Sequence, residues 1–195
     1  RKKVEMLFAT PVQPGKYVLM FTGSVHDVRA AIQGGAAVAG GVTCIGLMPD
    51  TDPVIDDVAL VQFITNRAAE TATCKIMPYA ALSKGLDGQS MSEMGLLKAA
   101  GVRLFTNGDA PIPSAHHLKR MMTYAQGCGV TIASRPDDRS LSGSGVMNAG
   151  SFALRNGLSG LSPLAEWAGL SRDLLLAEAS GAHLIADLIS TGRSV

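Results

Sequence analysis

A chain of 195 residues, 47% of them hydrophobic and 17% charged, has the composition of a protein with a substantial buried core. Its net charge of +1 and its 5% of aromatic residues exclude a basic, base-stacking surface for nucleic acids. No apolar run reaches the about 20 residues of a membrane span. Three widely spaced cysteines predict neither a disulfide framework nor a zinc site, and they favour a reduced, cytoplasmic setting.

Short β-branched apolar runs recur along the chain and predict six strands. These lie at 17–21, 42–48, 73–79, 102–106, 130–134 and 183–189. Four of the runs follow a glycine, which suits the left-handed residue that closes a preceding helix. The runs are continuous rather than alternating, as expected of strands that are buried on both faces.

The first helix is predicted to begin near Pro53, because proline suits the first helical turn. An apolar stripe that can pack on the sheet then follows at helical spacing, formed by Val54, Val58, Val61 and Ile64. Asp50 precedes this helix, and we expect its carboxylate to cap the helix.

Two further helices carry recognisable caps. Residues 90–93 read Ser-Met-Ser-Glu, which is the form of a capping box. Met94 and Leu97 would then face the core. Ser114 can cap the next helix, whose inward face we assign to the apolar side chains between 118 and 125.

The last helix is predicted to begin at Ser171, which can act as its cap, and to end at Gly181. It would carry Leu174, Leu175 and Glu178. The order of strand and helix therefore repeats several times, which makes right-handed crossovers between parallel strands the expected topology.

Six strands suit either a doubly wound sheet or an incomplete eight-stranded barrel, since a full barrel usually takes about 250 residues. The glycines at 34–41 lie before a strand rather than after one. They are therefore not a phosphate-binding fingerprint. In either architecture a functional site lies at the carboxyl ends of the strands.

Polar residues collect at the predicted strand ends. They include Asp50 and Thr51, Ser83 and Lys84, Asn107 and Asp109, Ser134, Arg135 and Asp137, and Ser190 and Thr191. Such clustering is typical of a site, although loops are polar in general and helix caps require the same residue types.

The four histidines argue against a metal site. His116 and His117 fall within a capped helix, where surface positions are expected, and His183 lies at the amino end of its strand. His26 alone could reach the active face, whereas zinc needs several converging ligands. No G-x-S-x-G elbow supports a serine hydrolase either.

Three ordered blocks resemble the dihydroorotases. Residues 36–56 (AAVAGGVTCIGLMPDTDPVID) are similar to a family segment that ends in Met-Pro-Asn-Thr-x-Pro. Residues 81–102 resemble the next block. Residues 144–184 resemble a later one, with its M-N-x-G, G-L-x-G and A-E motifs and an Arg-Asp pair before the sixth strand.

The resemblance implies an α/β fold, the (β/α)8 TIM barrel of the amidohydrolase superfamily, here incomplete with about six strands. It also implies a small β domain, of which residues 1–15 would be a remnant, with 16–195 forming the partial barrel. Dihydroorotases interconvert carbamoyl-aspartate and dihydroorotate, and one or two zinc ions activate the water. The family's general-base aspartate and closing strands would lie beyond Val195, so we expect either that further chain closes the barrel or that the protein forms an oligomer.

The chain departs from the family where its site residues belong. No histidine pair follows the first strand. The aspartate ligand after strand four falls at Asn107, and the histidines of strands five and six fall at Ser134 and Leu188. Asp50 replaces an asparagine that binds substrate, and a carboxylate there would repel a dicarboxylate.

The resemblance therefore predicts a chain without catalytic residues and without metal or other cofactors. Asp50, Asn107 and Ser134 would be remnants of a substrate pocket. Metal-free chains of this family serve as structural partners of aspartate carbamoyltransferase, and we expect that role here, in an oligomer that binds neither nucleic acid nor membrane.

Two alternatives stay open. One is an active zinc-dependent dihydroorotase or cyclic amidohydrolase with ligands such as His26, Asp109 and Asp137. The other is a different barrel enzyme that uses the inherited pocket without metal.

Overall fold

The computed structural model describes residues 5–13, 16–22, 41–72 and 74–195. The chain forms two compact units, Arg1–Gly108 and Asp109–Val195, which we call the N-terminal and C-terminal units. That residues 1–15 belong to a separate small β domain stays a prediction. No described helix is long and apolar enough to cross a membrane.

The described residues of the N-terminal unit form six strands. They are β1 (Glu5–Gln13), β2 (Lys16–Thr22), β3 (Cys44–Leu47), β4 (Lys75–Pro78), β5 (Ala80–Ala81) and β6 (Leu104–Thr106). The first four form one sheet in chain order, in which β1 pairs antiparallel with β2, and β2, β3 and β4 are parallel. Strands β5 and β6 also pair in parallel. The predicted parallel pairing of the inner strands is thus confirmed.

Helix α1 (Val58–Thr71) begins later than predicted, and Asp57, not Asp50, is its cap. The Asp57 carboxylate accepts a hydrogen bond of 2.7 Å from the amide of Ala59. The chain first crosses the strand ends, where the amide of Ile55 donates to the carbonyl of Pro49. Ile55 is completely buried there, which stabilises this non-helical segment, and the helix begins only after it, at Val58.

Helix α2 (Met94–Ala99) lacks the predicted capping box, since its cap residue is Glu93, which makes no side-chain cap bond. Ser90 instead belongs to a turn in which Asp87 accepts hydrogen bonds from the amides of Gln89 and Ser90. The two predicted inward residues of the helix are nevertheless fully buried. A short 3₁₀ helix (Lys84–Leu86) precedes the turn.

The C-terminal unit contains four strands and four helices. In chain order they are α3 (Ala115–Cys128), β7 (Thr131–Ser134), α4 (Arg139–Ser142), β8 (Met147–Asn148), α5 (Ser151–Arg155), β9 (Gly160–Leu161), α6 (Pro163–Ser180) and β10 (His183–Ala186). Strands β7 and β10 pair in parallel, and β8 pairs in parallel with β9. Each of the six predicted strands thus overlaps an observed one.

Helix α3 matches its prediction closely. The hydroxyl of Ser114 accepts a hydrogen bond of 3.3 Å from the amide of His117, and Leu118, Met121, Met122 and Ala125 are buried. The helix ends at Gly129, whose φ of 63° is the left-handed conformation that favours glycine.

Helix α6 begins eight residues before its predicted start. Its cap is Ser162, whose hydroxyl accepts from the amide of Leu164, and Pro163 occupies the first helical position. Ser171 therefore lies inside the helix. The predicted end at Gly181 is confirmed, with a φ of 68°.

Candidate functional site

In the N-terminal unit, Asn107 follows strand β6 and is only 5% exposed. Its Oδ1 accepts hydrogen bonds from the amide and the hydroxyl of Ser83, both at 3.0 Å. Its Nδ2 donates to the Ser83 hydroxyl at 2.9 Å. Both polar ends of the carboxamide are therefore engaged with one residue.

Ser83 lies beside Asn107 because strands β5 and β6 are parallel neighbours and end at the same level. The amide of Leu82 donates to the carbonyl of Thr106 at 3.2 Å, which fixes the register up to the strand ends. The Ser83 hydroxyl also accepts a bond of 2.8 Å from the amide of Gly88. The Asn107–Ser83 cluster thus holds the loop after β5 onto the end of β6.

Asp50 follows strand β3 and is half-buried at the same end of the N-terminal unit. A Cβ atom placed on Gly108 would lie 3.8 Å from Cγ of Asp50 and 3.7 Å from Cε of Met48. Gly108 has a φ of 56°, which an L side chain rarely adopts. The structure therefore brings Asp50 beside the turn that carries Asn107.

In the C-terminal unit, Ser134 ends strand β7 and donates a hydrogen bond of 2.5 Å to Oδ2 of Asp173. Asp173 is only 1% exposed. Its other oxygen, Oδ1, lies 2.8 Å from both Nε and Nη2 of Arg172. Arg172 also donates to the carbonyl of Ile112 at 3.2 Å.

This Ser134–Asp173–Arg172 cluster satisfies a buried carboxylate on both sides, as burial of a charge requires. Sequence reasoning noted the Arg-Asp pair as part of a resemblance but assigned it no role. The spacing of 39 residues between Ser134 and Asp173 carries no local signal for this contact.

Two further carboxylates near the end of β7 form ion pairs. Asp109 pairs with Arg135, and its backbone carbonyl accepts a hydrogen bond of 3.1 Å from Arg139. Asp137 lies 3.2 Å from Nε of Arg139. The two aspartates named as alternative metal ligands are thus each held by a guanidinium.

The pKa of Asp187, which directly follows β10, depends on its burial and on the charges of Arg135 and Asp109. Burial raises the pKa of its carboxyl, while a hydrogen bond from Leu188 and the charge of Arg135 act in the opposite direction. Its amide donates to the carbonyl of Ser134 at 2.9 Å, which ties the ends of β10 and β7 together.

Leu188 follows with a φ of 55°, an uncommon conformation for a residue other than glycine, Asn or Asp. Its side chain lines a pocket of about 170 Å³ in the C-terminal unit, together with Arg135 and Glu166. This strand end therefore presents an apolar side chain at the position where the family resemblance predicts a histidine.

Glu166 fixes the segment after β10. Its carboxylate accepts hydrogen bonds of 2.6–2.9 Å from the amides and hydroxyls of Ser190 and Thr191. Burial acts to raise the pKa of Glu166, but these bonds and one from Ser194 outweigh it and hold the pKa at about 2. The carboxylate is therefore ionised at neutral pH.

Among the residues that the structure describes, no three His, Cys, Asp or Glu side chains lie together as metal ligands. His26 lies outside the described residues. The rings of His116 and His117 are 5.9 Å apart near the start of α3, and His183 is exposed at the start of β10. That the protein binds no metal stays a prediction.

The comparison with solved structures identifies the fold. L-hydantoinase (dihydropyrimidinase) from Arthrobacter aurescens aligns with a TM-score of 0.65 at 18% identity, over 84% of this chain and 38% of that one. Dihydroorotase from Saccharomyces cerevisiae, solved with 5-fluoroorotic acid, aligns with a TM-score of 0.57 at 14% identity, over 86% and 45%. The fold is therefore part of the amidohydrolase-type (β/α) barrel, as predicted.

The sequence comparisons identify the family. A family model described as dihydro-orotase-like matches residues 17–194. The dihydroorotase of Caldanaerobacter subterraneus subsp. tengcongensis is 37% identical over 93% of this chain and 44% of its own length. That of Syntrophotalea carbinolica is 39% identical over 82% and 38%. The chain belongs to the dihydroorotase-like family, and it spans less than half the length of these relatives.

Proposed function

We propose that this chain is a non-catalytic dihydroorotase-like protein of pyrimidine biosynthesis, which acts in the cytoplasm as a structural partner of aspartate carbamoyltransferase. The observation that carries the proposal is the hydrogen bonding of the Asn107 side chain. It stands where the resemblance places an aspartate metal ligand, and it is a neutral amide whose oxygen and nitrogen both bind Ser83. A buried amide engaged in this way is a poor ligand for zinc, which in proteins binds thiolate, imidazole and carboxylate.

Two other positions support the same conclusion. Ser134 stands in place of a histidine ligand and directs its hydroxyl to the buried Asp173. Leu188 stands in place of another histidine and has no ligating atom. Three positions that would have to converge on a metal are thus occupied by groups that serve packing or internal hydrogen bonds.

The alternative of an active zinc enzyme draws little support from the described residues. Its proposed ligands Asp109 and Asp137 would have to leave Arg135 and Arg139 before they could bind a metal. Breaking exposed ion pairs costs little in itself, but the third proposed ligand, His26, lies outside the described residues, and no cluster of three ligand side chains is found among the described ones.

Activity and metal content test the catalytic half of the proposal. We expect the purified full-length protein to form dihydroorotate from carbamoyl-aspartate only at background rate, with or without added zinc. Asp50→Asn, which restores the family's residue, should leave that rate unchanged. Zinc-dependent turnover in either protein, with stoichiometric zinc after purification, would show that a working site survives.

Association tests the other half. Co-expression with aspartate carbamoyltransferase of the same organism, followed by size-exclusion chromatography with light scattering, should give a complex of defined stoichiometry. Two separate peaks at protein concentrations of about 10 µM would contradict the partner role, because this concentration is well above the Kd of a typical stable complex.

A further inference from the structure

Two places in the chain carry an asparagine that is followed directly by a glycine. They are Asn107–Gly108, directly after β6, and Asn156–Gly157, directly after α5. Asparagine is a thermolabile residue, because the backbone nitrogen of the next residue can attack Cγ of its side chain. Glycine has no side chain to hinder that attack, so an asparagine before a glycine is the one that most readily loses its amide.

The reaction, deamidation, needs water and no other reactant. The glycine amide gives its proton to a base in the solvent and its nitrogen bonds to Cγ of the asparagine. The bond from Cγ to Nδ2 breaks, and Nδ2 leaves as ammonia. Water then opens the resulting five-membered imide at one of its two carbonyls, which yields aspartate or isoaspartate. At position 107 the product carries a carboxylate in place of the neutral amide.

The turn after β6 requires the same glycine that makes Asn107 labile. Gly108 has a φ of 56°, in the left-handed region that L side chains rarely adopt, and Gly157 has a φ of 64°. The two pairs therefore share their residue types and the conformation of their glycine. They differ in the contacts that hold the asparagine.

Asn107 is held at both polar atoms of its carboxamide. Attack on Cγ turns this carbon from planar to tetrahedral, so Oδ1 and Nδ2 have to change direction, yet both are bonded to Ser83. The attacking group is held as well, because the amide of Gly108 donates to Oγ1 of Thr106 at 3.0 Å. Asn107 and Thr106 are buried. The reaction therefore has to break the Asn107–Ser83 cluster and admit water before the first bond can form.

Asn156 is held by fewer contacts. Its Nδ2 donates to the carbonyl of Phe152 at 2.8 Å, whereas its Oδ1 accepts no hydrogen bond from the described residues. Helix α5 has five residues, of which only Ala153 is buried. A helix so short and with so little buried surface opens at low cost. The Asn156 side chain is therefore free to reach the geometry of attack.

We propose that Asn107–Gly108 is a latent deamidation site, which the Asn107–Ser83 cluster keeps closed in the folded protein, whereas Asn156–Gly157 deamidates. The rate at a closed site is the rate in the unfolded chain multiplied by the fraction of time for which the site is open. Each group that closes the site at Asn107 is a described residue of the N-terminal unit. The proposal goes beyond the proposed function, because it concerns covalent chemistry and depends on neither metal nor partner.

Peptide mass spectrometry of the full-length protein, after incubation at mildly alkaline pH, measures the reaction at both sites. In guanidinium chloride the two asparagines should lose their amides at similar rates, because both precede glycine. In the folded protein Asn107 should react at least about tenfold more slowly than in the denaturant, since several hydrogen bonds have to break first. Asn156 should slow down less, so that it becomes the faster site.

Ser83→Ala opens the latent site without changing the reacting pair. It removes the hydroxyl that bonds both atoms of the Asn107 carboxamide, so deamidation there should accelerate by about tenfold. Ser92→Ala is the matched control, because Ser92 is a buried serine of the same unit whose hydroxyl donates to the carbonyl of Leu82 instead. In this control Asn107 should react at the rate of the parent protein, and Asn156 should be unaffected by either substitution.

Thr106→Val is a second test that leaves Ser83 in place. It removes the acceptor of the Gly108 amide at nearly constant volume, and the rate at Asn107 should rise several-fold. Circular dichroism confirms that each variant is folded. If Ser83→Ala does not fold, Thr106→Val decides.

Equal rates at Asn107 in the folded and the denatured protein would overturn the proposal. So would a folded protein in which Asn107 reacts faster than Asn156, or folded variants at positions 83 and 106 that both keep the parent rate. The proposal is also wrong if Ser92→Ala accelerates the reaction as much as Ser83→Ala does, because the protection would then reflect general stability and not this cluster.

Discussion

The two units use different chemistry at their strand ends. In the N-terminal unit the Asn107–Ser83 cluster is neutral, with every bond between a carboxamide, a hydroxyl and backbone amides. In the C-terminal unit the Ser134–Asp173–Arg172 cluster buries a charge and pairs it with a guanidinium. Both place internal hydrogen bonds where the family resemblance places metal ligands.

The difference teaches that the strand ends of one fold can be held by a neutral cluster of hydrogen bonds or by an ionic one. A neutral cluster needs only complete hydrogen bonding, so its loss removes a few modest interactions. An ionic cluster must also compensate a desolvated charge, so removal of one member leaves the other buried and unpaired. Perturbing each cluster in turn should therefore give effects of different size.

The largest effect is expected for Asp173→Ala. Because Asp173 is 1% exposed, its removal leaves the half-buried Arg172 without its carboxylate and Ser134 without its acceptor. The free energy of unfolding should fall by about 3–5 kcal/mol, measured by urea denaturation of the full-length protein. A loss below about 1 kcal/mol would mean that the carboxylate is not buried as described.

A smaller loss is expected for Asn107→Ala. The substitution leaves the amide of Ser83 without an acceptor in a buried place, which costs about 1–3 kcal/mol in the same denaturation assay. Ser83→Ala is the matched variant from the other side of the bond. If the cluster acts as one unit, the double variant should lose less than the sum of the two single losses.

Glu166 should make stability depend on pH. Its pKa is held at about 2 in the folded protein, below the ordinary value of 4.5. The stabilisation is therefore complete above about pH 4.5 and is lost as pH falls through the folded pKa.

Because Glu166 is partly exposed, the loss should be on the order of 1 kcal/mol between pH 5 and pH 2.5. Thermal unfolding at several pH values measures it. In Glu166→Gln this part of the acid dependence should disappear. An unchanged profile would assign the acid sensitivity to other carboxyls, such as Asp87 and Asp138, whose pKa values hydrogen bonds also lower.

The smallest effect is expected for Asp109→Ala. Its ion pair with Arg135 is formed between exposed side chains, and such pairs contribute about 0–1 kcal/mol. Comparison with Asp173→Ala sharpens the contrast, because both variants remove an aspartate that binds an arginine in the same unit. Equal losses for the two would show that burial does not set the energy of these pairs.

Several features were predictable because their signals are local. Continuous β-branched runs mark buried strands, so 130–134 was predicted and Thr131–Ser134 is observed. Ser114 and Gly181 lie at helix ends where a hydroxyl cap and a left-handed glycine are favoured by the backbone itself.

Helix starts were less predictable, because several residues near a start can act as caps and tertiary packing selects among them. Asp57 rather than Asp50 caps α1, since the segment between them is not helical and is held by the hydrogen bonds of Ile55 to Pro49 and Ala81. Ser171 has a capping side chain but lies inside α6, where Ser162 and Pro163 open the helix two turns earlier.

The sequence by itself determined the parallel βα order and the family, because local spacing and residue identity carry that information. It also showed that positions 107, 134 and 188 hold Asn, Ser and Leu, none of which is a usual zinc ligand. Only the tertiary structure decided which partners these residues have. Asn107 meets Ser83 across 24 residues and Ser134 meets Asp173 across 39. No local pattern encodes contacts between segments so far apart, because they arise only when parallel strands and their helices pack together.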